Sequence, residues 1–177
     1  MESQVTVLQT LLDIPYIRRV RRNHGLEHAT IHLLSRRVPN LRMVGRSDAR
    51  GFWLYGEVET ETVETCVRDA LNRMRGGEHK LAIHPNCGTN LVTVGLLGTA
   101  ATFVALMGSE RDEGGKLARL PLMVLGIMAA ALFGQPLGMQ LQEHVTTLGD
   151  PADLQVKSIE RRLRGSMVMH RVETWSS

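Results

Sequence analysis

The amino-acid sequence predicts an α+β headpiece from which two transmembrane helices emerge as a hairpin. Three observations carry this expectation: two long stretches without a charged residue, segments of strand length and alternating polarity on both sides of them, and helical periodicity in two segments ahead of the first stretch. The expected order is α-β-β-α-β for the headpiece, with two helices on a small sheet, then the hairpin, then a C-terminal β-hairpin that joins the headpiece. Residues 1–88 are expected as a cytoplasmic headpiece, 89–142 as the membrane hairpin, and 143–177 as a tail packed on the headpiece.

The elements follow in chain order. Tyr16 to Arg37 reads as a helix, with Pro15 suited to its first turn and Val38-Pro39-Asn40 ending it. Leu41–Ser47 and Phe52–Val58 alternate and hold β-formers, so the turn Ser47-Asp48-Ala49-Arg50-Gly51 joins them as a hairpin. Thr60 is expected to cap a second helix, with Glu61 and Glu64 in its first turn. Val63, Cys66, Val67, Ala70, Leu71 and Met74 form its apolar face, which makes Cys66 a core thiol, and Gly76-Gly77 stop it. Lys80–His84 is expected as a short strand ending at Pro85. Beyond the membrane hairpin, Leu154–Leu163 and Met167–Thr174 flank Arg164-Gly165-Ser166 and read as a second β-hairpin, with a helix as the alternative for its first half.

The membrane segments rest on length and charge. Leu81 to Ser109 contains no Asp, Glu, Lys or Arg, and neither does Leu120 to Gln142. About 20 apolar residues at a rise of about 1.5 Å cross a hydrocarbon core of about 30 Å. Gly95, Gly98 and Ala101 in the first stretch, and Gly126, Ala130 and Gly134 in the second, are small enough for close helix approach. Pro121 can start the second helix and Pro136 is expected to kink it. The competing reading is a buried hairpin of a soluble protein. The connector Ser109–Arg119 is short and charged, so the two helices should be antiparallel, with both chain ends on one side. Of the 21 Lys/Arg, 13 precede the first stretch, 3 lie in the connector and 5 in the tail. The positive-inside rule then places both termini in the cytoplasm, at the inner (cytoplasmic) membrane.

Composition excludes some classes. A net charge of +3 from 21 basic and 18 acidic residues does not suit nucleic-acid binding. Arg18, Arg19, Arg21 and Arg22 cluster in a way that suits either anionic lipid headgroups or a solvated helix face. Two cysteines make no disulfide framework and fit a reducing compartment. The polar N-terminus, whose apolar run stops at Asp13, does not read as a cleavable signal peptide. The expected partners are the lipid bilayer and either a membrane-protein partner or a second copy.

Two blocks carry chemistry. In His24-Gly25-Leu26-Glu27-His28, the histidines stand four apart on one helix face and can share a metal ion, with Glu27 beside them and His32 a turn further on. The order H-x-x-E-H is that of inverted zincins, in which the glutamate activates water. A third ligand is needed. The candidates are Cys87, expected at the start of the first membrane helix where the dipole favours thiolate, and His84 three residues before it, as a fourth ligand or a supporting group. Mixed nitrogen and sulfur donors favour zinc. His79, His144 and His170 read as surface or structural histidines.

The blocks His24-Gly25-Leu26-Glu27-His28 and His84-Pro85-Asn86-Cys87-Gly88-Thr89, followed by a hydrophobic span, resemble an uncharacterised group of bacterial membrane proteins that includes the YqhQ-like family. This chain is shorter than that family and lacks its N-terminal glycine-rich region. The resemblance implies that the two blocks act as one unit and implies no established reaction. Three functions compete: a zinc-dependent hydrolase or peptidase with Glu27 as general base, a non-catalytic membrane scaffold or assembly protein with a structural metal, and a metal-free network of hydrogen bonds among the histidines and Glu27.

Overall fold

The computed structural model describes residues 2–107 and 117–177. It divides into two compact units, one running to His84 and resuming over Glu143–Ser177, the other Pro85–Gln142. The connector expected at Ser109–Arg119 lies mostly outside the described residues.

The first unit is α+β. Its helices are α1 (Glu2–Leu12), α2 (Pro15–Arg37) and α3 (Thr60–Arg75), and its strands are β1 (Val44–Asp48), β2 (Gly51–Tyr55), β3 (Gln155–Arg164) and β4 (Met167–Trp175). The sheet is antiparallel in the order β1-β2-β4-β3. The C-terminal hairpin therefore inserts β4 beside β2 and completes the headpiece sheet, with Phe52 facing Val172 and Leu54 facing His170 across the pair. One face of the sheet packs on α2 and α3. Leu26, Leu34, Phe52, Leu54, Val63, Val67, Met74, Leu154 and Val172 are wholly buried there, and Cys66 is among them as a core thiol.

Several elements depart from the sequence expectation. Helix α1 is an additional element, ended by the turn that leads into Pro15. Thr60 starts α3 without capping it: the cap residue is Glu59, with no side-chain hydrogen bond, and the Thr60 hydroxyl sits 3.2 Å from Nε2 of the buried His170. Lys80–His84 is not a strand. His79–Ala82 forms a 3₁₀ turn; the carbonyls of Ala82 and of Ile83 beyond it are taken by imidazoles of α2, and Pro85 has no N–H to extend a ladder. Arg21 and Arg22 do not face a membrane surface. Arg21 donates to the carbonyls of His144 (3.1 Å) and Thr147 (3.2 Å), and Arg22 pairs with Asp153 at 2.8 Å, so both are buried.

The second unit is a helical hairpin of α4 (Gly88–Leu106) and α5 (Leu120–Leu141), the latter continued by a π turn over Gln142–Thr146. Both helices are long and apolar enough to cross a membrane. Glycines set their separation. A Cβ on Gly134 would fall 2.8 Å from Cγ2 and 3.1 Å from Cα of Val94, and one on Gly138 would fall 2.7 Å from Cα of Asn90, so at either position a neighbour would have to shift. Pro136 lies inside α5. Arg119 donates to the carbonyls of Ala105 (2.8 Å) and Met107 (2.7 Å), closing the C-terminal end of α4. The outward surfaces are apolar: Leu91, Leu96, Phe103, Leu132 and Phe133 are between 67 and 76% exposed within this chain.

Candidate metal site on helix α2

Helix α2 carries a row of imidazoles. The rings of His24 and His28 are 4.3 Å apart, centroid to centroid, as residues one helical turn apart should be. The ring of His84, on the segment leaving the 3₁₀ turn, stands 5.7 Å from that of His28 and 4.6 Å from that of His32. Four of the sequence-predicted histidines thus form one cluster within the first unit.

Backbone carbonyls set the tautomers. Nδ1 of His24 donates to the carbonyl of Thr146 at 2.9 Å, and Nδ1 of His28 donates to that of Ala82 at 2.7 Å. A carbonyl only accepts, so each Nδ1 holds a proton, and in the neutral ring Nε2 is the nitrogen with the lone pair. This is how metal-binding histidines are prepared by their outer partners. His32 is bound the other way round, with Nε2 donating to the carbonyl of Ile83 at 2.9 Å. Burial, and then the neighbouring imidazoles of His32 and His28, push the pKa of His84 down to about 4, so it is a neutral base at physiological pH.

Gly25 explains how those carbonyls come so close. A Cβ there would lie 2.5 Å from the carbonyl oxygen of Leu148 and 3.2 Å from Cβ of Ala82. Both segments that hold the histidines press on α2 at the one residue without a side chain. A glycine costs a helix interior about 1 kcal/mol relative to alanine, and close approach is the usual reason for one there.

Glu27 is buried and turned toward β1. It accepts a hydrogen bond from the Ser47 hydroxyl, and its carboxylate fills the space beside Gly45, where a Cβ would be 2.0 Å from Oε1. Burial raises its pKa, opposed by the Ser47 bond and by the electrostatic influence of the nearby His24 ring. The carboxylate is thus tied to strand β1. Gly45, Ser47, and the carbonyls of Ala82 and Thr146 all shape the site without belonging to any motif. Only Gly25, conspicuous inside a helix, signals itself in the sequence.

By residue type, His24, His28 and Cys87 are a donor set that could hold a metal ion. Cys87 is the N-cap of α4, and its sulfur accepts from the backbone N–H of Thr89 at 3.4 Å.

Residues 19–159 match the family described as a domain of unknown function, DUF6391. The chain belongs to that family. The DUF6391 match contains both histidine blocks and both apolar helices. An uncharacterised protein of Picosynechococcus sp. is 34% identical over 155 residues, covering 80% of this chain and 71% of its own length. No solved structure matches the chain. Membership of a family without an assigned function agrees with the sequence reading of an uncharacterised group, while the YqhQ-like resemblance stays an expectation carried by the two motifs.

Proposed function

We propose that this DUF6391 protein is a membrane-anchored zinc protein of hydrolase type, with His24, His28 and Cys87 as ligands and Glu27 as general base. The observation that carries the reading is the pairing of both Nδ1 atoms with backbone carbonyls, which leaves Nε2 of His24 and His28 as the basic nitrogens. Cys87 follows His84 by three residues, a chain reach of at most about 11 Å, and the helix N-terminus favours its thiolate form. Two imidazoles and a thiolate suit zinc, and three protein ligands are the pattern of sites that keep a position for substrate. A bound zinc ion would supply Lewis acidity. Glu27, with its pKa raised by burial, would accept a proton from water, and His84 would remain a neutral hydrogen-bonding neighbour.

Because Cys87 opens an apolar helix of 19 residues, the site in this reading lies at the bilayer surface. The excess of Lys/Arg outside the connector supports cytoplasmic termini and an inner-membrane location. Lipid surrounds the hairpin, and the exposed apolar faces of α4 and α5 leave room for a membrane-protein partner or a second copy.

One observation favours a second reading. The Ser47–Glu27 hydrogen bond and the fit against Gly45 suit a glutamate that ties α2 to the sheet. In that case His84 is a fourth ligand, the site is closed, and the metal is structural in a scaffold or assembly protein.

Metal analysis of the full chain in detergent is the test. One equivalent of zinc in the wild type, lost in His28→Ala and in Cys87→Ser, is expected. Wild-type protein well below one equivalent after zinc loading would overturn both readings. Glu27→Gln that keeps the metal but loses function in cells supports the hydrolase, whereas unchanged function supports the structural reading.

A further inference from the structure

The turn that presents Cys87 is held by an amide network within the second unit. Asn90, in the first turn of α4, donates from Nδ2 to the carbonyl of Pro85 at 2.7 Å, while its own backbone N–H donates to the carbonyl of Cys87 at 3.0 Å. One residue thus grips the chain on both sides of Asn86. The remaining polar atom of the amide, Oδ1, accepts from Nε2 of Gln142 at 2.7 Å. Gln142 is wholly buried and Asn90 is 5% exposed, so water does not compete for these bonds. Gly138 makes room for the amide: a Cβ there would sit 2.5 Å from Asn90 Oδ1.

Pro85, Asn86, Cys87 and Asn90 border an open groove of about 450 Å³, and the hydrogen bonds of Asn90 tie the turn to α4 and to Gln142. A buried amide between two helices is also costly unless each of its atoms is bonded, and here Nδ2 and Oδ1 both are.

We infer that Asn90 is a positioning residue for Cys87: with Gln142 behind it, it fixes the Pro85–Cys87 turn so that the sulfur is held ready for a metal ion. The inference rests on the proposed metal site and adds to it a residue outside the proposed ligand set. Supporting groups of this kind change metal affinity by about 10- to 100-fold when removed.

The experiment uses the full chain in detergent, loaded with cobalt(II), with the thiolate-to-cobalt charge-transfer absorption as signature and zinc competition as the measure of affinity. Asn90→Leu is expected to weaken binding by about 10- to 100-fold and to diminish or shift the thiolate band, with helix content by circular dichroism unchanged. Gln142→Met, which leaves the Asn90–Pro85 bond in place, should act in the same direction more mildly and carries the test if Asn90→Leu does not fold. A merely structural role would lower thermal stability without moving the band. A wild-type band that is unchanged in both variants, at unchanged affinity, overturns the inference alone. Absence of a thiolate band in the wild type overturns the metal reading together with it.

Discussion

Replacing Gly45 by alanine probes the wall behind Glu27. The new Cβ would lie 2.0 Å from Oε1, 2.4 Å from Cδ and 2.7 Å from Cγ of Glu27. Restoring an ordinary contact of 3.4 Å to Oε1 requires the carboxylate to retreat by about 1.4 Å, since the strand backbone is held in register by its pairing of Gly45 with Leu54. A hydrogen bond does not survive such a movement, so the Ser47 bond is lost and a buried carboxylate is left under-satisfied. Losing a hydrogen bond to a charged group costs about 1.5–3 kcal/mol. For a unit of this size that lowers the midpoint of thermal unfolding by roughly 6–12 °C. Both tryptophans, Trp53 and Trp175, lie in the first unit, so near-ultraviolet circular dichroism reports on it selectively. In a Glu27→Ala background the same Gly45→Ala change should cost under about 0.5 kcal/mol, because the carboxylate it collides with is gone. A shift below about 1 °C in the wild-type background, or an equal shift in both backgrounds, would refute the reasoning.

Two further outcomes are expected. Gly25→Ala should destabilise the first unit by about 1–3 kcal/mol in thermal unfolding, since its Cβ meets the backbone oxygen of Leu148 rather than a side chain that can swing aside, and it should also reduce zinc content by loosening the segments that hold His24 and His28. His170 gives a pH dependence: burial, and then the charge of Arg161, lower its pKa below the ordinary 6.5, so the unfolded chain takes up a proton that the folded chain refuses. Stability contributed by the neutral ring is complete above pH 6.5 and falls as the pH drops toward the folded value, with a slope of at most about 1.4 kcal/mol per unit. Denaturation measured from pH 7.5 down to 5 should therefore show a shallower decline for His170→Gln than for the wild type, and equal slopes would count against it.

How much was legible in the sequence varies by element. The paired strands Val44–Asp48 and Gly51–Tyr55 and the hairpin Gln155–Arg164 with Met167–Trp175 follow from alternation and turn residues, which are local properties. Helix α3 follows from its apolar face, and the hairpin helices from the absence of charge. Lys80–His84 was not legible, because its carbonyls are claimed by His28 and His32, more than 50 positions away. Arg21 and Arg22 look like a surface cluster until the 144–153 segment folds back to accept their hydrogen bonds.

By itself the sequence determined which residues have metal-binding chemistry, that His24 and His28 share a helix face, and that two uncharged stretches are long enough to cross a bilayer. Those are matters of residue type and of spacing within one element, which helix geometry converts directly into proximity. Only the tertiary structure decided which ring nitrogen of each histidine carries the proton, that Glu27 faces Ser47 and Gly45, and that Asn90 grips the Cys87 turn. Each of these depends on a partner brought from elsewhere in the chain, in most cases a backbone carbonyl or a missing Cβ, and every residue has a carbonyl. Residue identity therefore cannot announce which one will be used.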